Sequence, residues 1–186
     1  DGKTLATSSD YELILWDVAD PSTPKLISKT DGYYTNLGFT LDGKILTSLK
    51  IHSDVNNVVV LFDVSNPKSH VELTQLESGD EELDITRIIF NPNKNLLFFS
   101  RSDGSILAWD VQNPEVPVML STMNGYGNWV YGLALSPDEN TLAVGDGGTI
   151  IALWDVTDPA APSFLSSWSG HSFAINSLAF STDGNT

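Results

Sequence analysis

Short apolar runs of about five residues alternate along the chain with polar, glycine- and proline-rich punctuation. One stretch shows the grain: Thr35–Thr40, Ile45–Leu49, Val58–Val64 and Val71–Leu76. These runs are rich in β-branched and aromatic side chains and too short for helices. No segment of helical period and length competes with them, so the pattern predicts strands throughout. The punctuation repeats too. Leu37-Gly-Phe-Thr-Leu-Asp-Gly43, Ile88-Ile-Phe-Asn-Pro-Asn93, Leu133-Ala-Leu-Ser-Pro-Asp138 and Leu178-Ala-Phe-Ser-Thr-Asp-Gly184 are each an apolar run closed by a turn signal.

A second series is Leu13-Ile-Leu-Trp-Asp-Val18, Val59-Val-Leu-Phe-Asp-Val64, Ile106-Leu-Ala-Trp-Asp-Val111 and Ala152-Leu-Trp-Asp-Val156. Its aromatic–Asp pairs begin at Trp16, Phe62, Trp109 and Trp154, with spacings of 46, 47 and 45 residues. Each pair is followed by Asp20-Pro21, Asn66-Pro67, Asn113-Pro114 or Asp158-Pro159, and three of these by a further Pro24, Pro117 or Pro162. Proline fixes φ and removes a donor, so these are loops that bend the chain at a set angle. Four short strands per unit form a small antiparallel sheet that cannot bury its faces alone; stacking copies around an axis buries them. The whole chain, 1–186, is therefore one all-β domain of repeat units at about 1–29, 30–78, 79–124 and 125–169, with a final strand in 170–186.

Composition narrows the function. Nine Lys+Arg against 24 Asp+Glu give a net charge of −15. Such a surface repels phosphate backbones and anionic membranes and attracts a basic protein, so neither nucleic acid nor membrane is an expected partner. There is no cysteine, which excludes a thiolate metal site, a disulfide scaffold and a Cys nucleophile. The longest apolar runs, Val58–Phe62 and Ile150–Trp154, have five residues, against the roughly 18 a membrane helix needs. A cytoplasmic location is the expectation.

The Trp–Asp pairs, in register with the Ala-Phe-Ser-Pro-Asp-Gly-like turns, resemble the WD-repeat β-propeller family over the whole chain. The resemblance implies blades of four antiparallel strands, a to d from the axis outward, in rings of about seven or eight. The Asp-Pro tails resemble those of bacterial repeats, often the C-terminal part of larger signalling proteins, which makes a bacterial source the expectation. The resemblance also implies a buried hydrogen-bonded set in each blade. One set maps completely: His171 (after Gly170), Ser8, Asp10 and Trp16. Elsewhere it decays: Thr30, Glu81 and Tyr126 stand at the His position, Arg101 at a Ser position and Gly148 at an Asp position.

The chain opens on the a–b turn Asp1-Gly2 and ends on the same turn, Asp183-Gly184. A lone inner strand near Ile175–Phe180 could complete the first blade in a ring of four or the first blade of a second copy. It could also belong to a longer propeller, and rings of about seven or eight blades favour that reading or the second copy over the ring of four. The second reading makes self-association through the open blade ends an expectation.

No catalytic, cofactor or metal constellation stands out. His52, His70 and His171 are dispersed, without His-Glu-x-x-His or Gly-x-Ser-x-Gly. Gly38–Lys44 matches part of a phosphate loop, but Ile45 replaces the Ser/Thr and no helix follows, so it is an ordinary turn. Asp80-Glu81-Glu82 with Asp84 lacks the alternating ligands of a calcium loop and reads as a solvated loop. The stronger signal is aromatic. Tyr33, Tyr34, Tyr126, Trp129 and Phe173 fall in the d–a loops, with Asp84 at the position aligned to Tyr33 and Trp129. By resemblance these loops form the top rim near the axis, where partners dock; the plain alternative is that some of them pack between blades. The expected function is a non-catalytic protein-binding scaffold or sensor. A ligand-binding or hydrolytic axial funnel and a purely structural spacer are the alternatives.

Overall fold

The computed structural model describes residues 2–124 and 128–184. Among the described residues, fifteen strands form four antiparallel sheets, each a meander in which sequence neighbours pair. Blade 1 has three strands, β1 (Thr4–Ser8), β2 (Glu12–Asp17) and β3 (Lys25–Asp31). Blade 2 comprises β4 (Tyr33–Phe39), β5 (Ile45–Ile51), β6 (Val58–Asp63) and β7 (Val71–Leu76). Blade 3 comprises β8 (Ile85–Asn91), β9 (Leu96–Arg101), β10 (Ile106–Asp110) and β11 (Val118–Met123). Blade 4 comprises β12 (Val130–Leu135), β13 (Thr141–Asp146), β14 (Ile150–Asp155) and β15 (Ser163–Ser169). The all-β propeller architecture read from the repeats is the one observed.

The core lies between blades, not within them, because a single sheet has two apolar faces and no interior. Leu13 and Leu15 of blade 1 pack with Leu46, Val60 and Phe62 of blade 2. Leu49, Val59 and Leu61 of blade 2 pack with Leu97, Phe99 and Leu107 of blade 3. Phe98, Ile106 and Ala108 of blade 3 pack with Leu142, Val144 and Ala152 of blade 4. The start of each inner strand supplies one buried plug: Tyr34, Ile85 and Val130. Ile175 occupies the corresponding place on the face of blade 4, where its N–H donates to Asp146 O at 3.0 Å and its side chain fills the space above Gly145. A Cβ on Gly145 would come within 2.5 Å of Ile175, so this approach requires glycine.

The repeated polar residues cap strands and turns. The Asp of each aromatic–Asp pair accepts a backbone N–H two residues on: Asp17 from Ala19, Asp63 from Ser65, Asp110 from Gln112 and Asp155 from Thr157. Three residues later the Asx of each Asx-Pro step repeats the turn: Asp20 accepts from Ser22, Asn66 from Lys68, Asn113 from Glu115 and Asp158 from Ala160. Hydroxyl donors at the same turns hold two of the carboxyls below their usual range: Asp63 chiefly through Ser65, Asp20 chiefly through Ser22 and Thr23. The tail carbonyls then join blades. Ser28 Oγ donates to Pro67 O at 2.7 Å, and Ser121 Oγ donates to Pro159 O at 2.6 Å.

Candidate functional site

The b–c turns and d–a loops share one side of the blades, the top. There the predicted rim residues separate into exposed and consumed groups. Trp129 is 51% exposed, Tyr33 40% and Phe173 84%. Trp129 is held by its backbone: Gly147 N–H donates to Trp129 O at 2.6 Å, and the neighbouring Asn128 Nδ2 donates to Asp146 Oδ2 at 3.1 Å. Its ring leans on Tyr131 with centroids 6.4 Å apart. Tyr126 lies outside the described residues.

Two predicted rim residues are not available for contact. Tyr34 is only 2% exposed and meets the Phe62 ring edge-on at 5.8 Å. Successive strand residues point to opposite sides, so Tyr33 reaches the surface while Tyr34 plugs the seam between blades 1 and 2. Burial, then the charges of Glu72 and Asp31, raises the Tyr34 phenol above its ordinary pKa. Asp84 is spent on structure. Its Oδ1 accepts Asn57 N–H at 2.8 Å, its Oδ2 accepts from Asn57 Nδ2 at 3.1 Å, and its own N–H donates to Ser102 Oγ at 3.1 Å.

The expected polar set is not assembled around Trp16. Trp16 Nε1–H donates to Thr7 Oγ1 at 2.8 Å, not to Ser8. Leu5 lies opposite Trp16 in the ladder, so Thr7 shares the face of the indole and Ser8 points away. Ser8, Asp10 and His171 are exposed, and the free edge of β1 has no strand paired to it among the described residues. The position equivalent to Thr7 is Ser48 in blade 2, Phe99 in blade 3 and Val144 in blade 4. Phe62 has no N–H to offer, and Ser48 Oγ donates instead to Thr35 O at 3.0 Å. Phe99 stacks on Trp109 at 6.0 Å and 23°, and the buried Trp109 Nε1 has no hydrogen-bond partner among the described residues.

The histidines stand apart. His70 Nδ1 lies 3.2 Å from Ser28 Oγ, its Nε2 contacts Thr30 Oγ1, and its ring meets Phe62 edge-on at 5.8 Å, which fastens blade 2 to blade 1. No group of three or more His, Asp or Glu is placed to hold a metal ion among the described residues. None of the described helices is long and apolar enough to cross a membrane.

The family model for "WD domain, G-beta repeat" matches residues 118–155 and 162–186, which carry β11, the strands of blade 4 and the segment after them; the inner strand expected near Ile175–Phe180 is not formed. The matched stretches, about a third of the chain, are WD repeats. A curated relative, the protein transport protein SEC31 of Dictyostelium discoideum, is 23% identical over 68% of this chain and 9% of its own length. The chain thus spans about a tenth of that relative. A chain in the crystal structure of a mitotic checkpoint complex superposes with a TM-score of 0.72 at 21% identity, over 95% of this chain and 52% of its own. That likeness shows a shared fold, here a β-propeller arc of four blades.

Proposed function

We propose that this arc of WD repeats is a protein-interaction scaffold or sensor module that engages its partner through the top rim. The observation that carries the proposal is Trp129. This large aromatic exposes half its surface while its backbone is pinned to Gly147 and its ring to Tyr131. A rigid, half-exposed indole loses little conformational freedom on docking and contributes a large contact area, the profile of an anchor residue. Tyr33, at the start of β4 two d–a junctions earlier, and Phe173, in the segment after blade 4, present further aromatic surface. By their descriptions, one similar protein serves protein transport and the other is a chain of a checkpoint complex. The test is capture of partners by the intact protein and by its Tyr33→Ala/Trp129→Ala variant. Partner recovery should fall at least tenfold in the variant, the scale expected when anchor residues are truncated. Unchanged recovery rejects the rim.

A further inference from the structure

The two end blades leave open the faces that the inner seams close. Leu5, Leu46, Leu97 and Leu142 each stand opposite the aromatic of their blade's aromatic–Asp pair. Leu46, Leu97 and Leu142 are fully buried against the preceding blade, whereas Leu5 is 49% exposed. The residue just before that aromatic faces the following blade. Leu15, Leu61 and Ala108 are buried there, and Leu153 of blade 4 is only partly covered. The ladder shows the same break. β5, β9 and β13 each pair with an inner strand, and their equivalent β1 has none among the described residues.

The strand that blade 1 lacks lies on the far side of blade 4. Ile175 and Leu178 rest over Gly145 and Gly132, so residues 175–180 sit on blade 4 where the inner strand of a next blade belongs. The segment ends in a formed turn: Gly184 N–H donates to Ser181 O at 2.9 Å, as Gly43 N–H does to Thr40 O in blade 2. No strand is laddered to it among the described residues. A cavity of about 340 Å³ remains between its Leu178 and Phe180 and the side chains of Ile151, Leu153 and Trp168. An unpaired β edge is a template for another chain. The repeat fixes the register of such a pairing. Phe39 pairs with Leu46, Phe90 with Leu97 and Leu135 with Leu142, which puts Phe180 opposite Leu5 and Ala179 opposite Ala6.

We propose that residues 175–180 of one copy pair with β1 of a second copy, and reciprocally, so that two arcs close head to tail into one ring. A second copy is the fitting occupant because it brings both halves of the contact together: the inner strand that β1 lacks, and the leucine face that each formed seam buries. Leu5 of each copy then fills the apolar space beside Leu153 of the other. Reciprocal head-to-tail pairing leaves no open edge. The inference does not depend on the aromatic rim. The chain has no cysteine, so Ala6→Cys/Ala179→Cys introduces the only thiols. Directly opposed residues on paired strands come within reach of a disulfide. Oxidised while folded, this variant should run as two linked chains on a non-reducing denaturing gel. Ala6→Cys/Leu178→Cys places its thiols on opposite faces of the strand pair and should link about tenfold less. Light scattering should give the mass of two chains for the unsubstituted protein. Leu5→Asp, checked for folding by circular dichroism, should give the mass of one, because pairing would bury its charge. A disulfide within a single chain overturns the proposal in favour of a ring of four. A single-chain mass for the unsubstituted protein, larger open assemblies, equal linking of both cysteine variants, or a two-chain mass kept by Leu5→Asp overturns it as well.

Discussion

Blades 1 and 3 carry the same Trp–Asp pair and treat the indole in opposite ways. In blade 1 the Trp16 N–H reaches Thr7. In blade 3 a phenyl ring stands where the hydroxyl would be, and the buried Trp109 N–H has no partner among the described residues. An unpaired buried donor costs about 1–3 kcal/mol. Phe99 offsets that cost with area: it is fully buried at the centre of the cluster joining blades 2 and 3 and stacks on the indole. The polar network is therefore one solution to filling the space beside the tryptophan, and apolar stacking is another. A repeat can trade one for the other provided the face is filled.

Three substitutions probe this contrast, all read by chemical denaturation of the intact protein. Phe99→Ala should cost the most, about 3–5 kcal/mol, because it empties a packed seam. A loss under about 1 kcal/mol would mean that the aromatic stack does not substitute for the polar contact. Thr7→Val keeps the shape and removes the acceptor, which should cost about 1–2 kcal/mol. No change would show that the Trp16 bond carries no stability. Trp109→Phe should cost the least, about 1 kcal/mol or less, because it deletes the unpaired N–H along with some packing. A loss above about 3 kcal/mol would mean the indole N–H finds a partner after all.

The period of the aromatic–Asp pairs shows the four-strand repeat, since spacing and alternation are properties of the chain itself, but the inner strand expected near Ile175–Phe180 is not formed: the edge of β1 is not paired to it, and without a ladder the segment stays irregular, tied to blade 4 by Ile175 N–H to Asp146 O. Side-chain partners were less legible. Counting back from tryptophan through the b–c turn points to Ser8, but the ladder selects Thr7, because Leu5 and Trp16 are opposite one another. The same step back along the strand lands ten residues before Trp109 and nine before Trp16, so a fixed offset fails where turn length varies. Tyr33 and Tyr34 are equally aromatic in sequence; only alternation about β4 sends one to solvent and one into the seam. Asp84 looked free because its partner, Asn57, sits in an insertion outside the repeat pattern.

The outer clamps carry a consequence for how such a chain can drift. Ser28 and Ser121 reach across to the carbonyls of Pro67 and Pro159, not to side chains. Every amino acid brings a carbonyl. Substitution in the accepting loop can therefore alter what the outer edge displays while the junction keeps its acceptor, so long as the two stacked turns hold the backbone in place. The seam is insulated from the identity of the residues it joins, which leaves the loops of each blade at liberty to diverge separately.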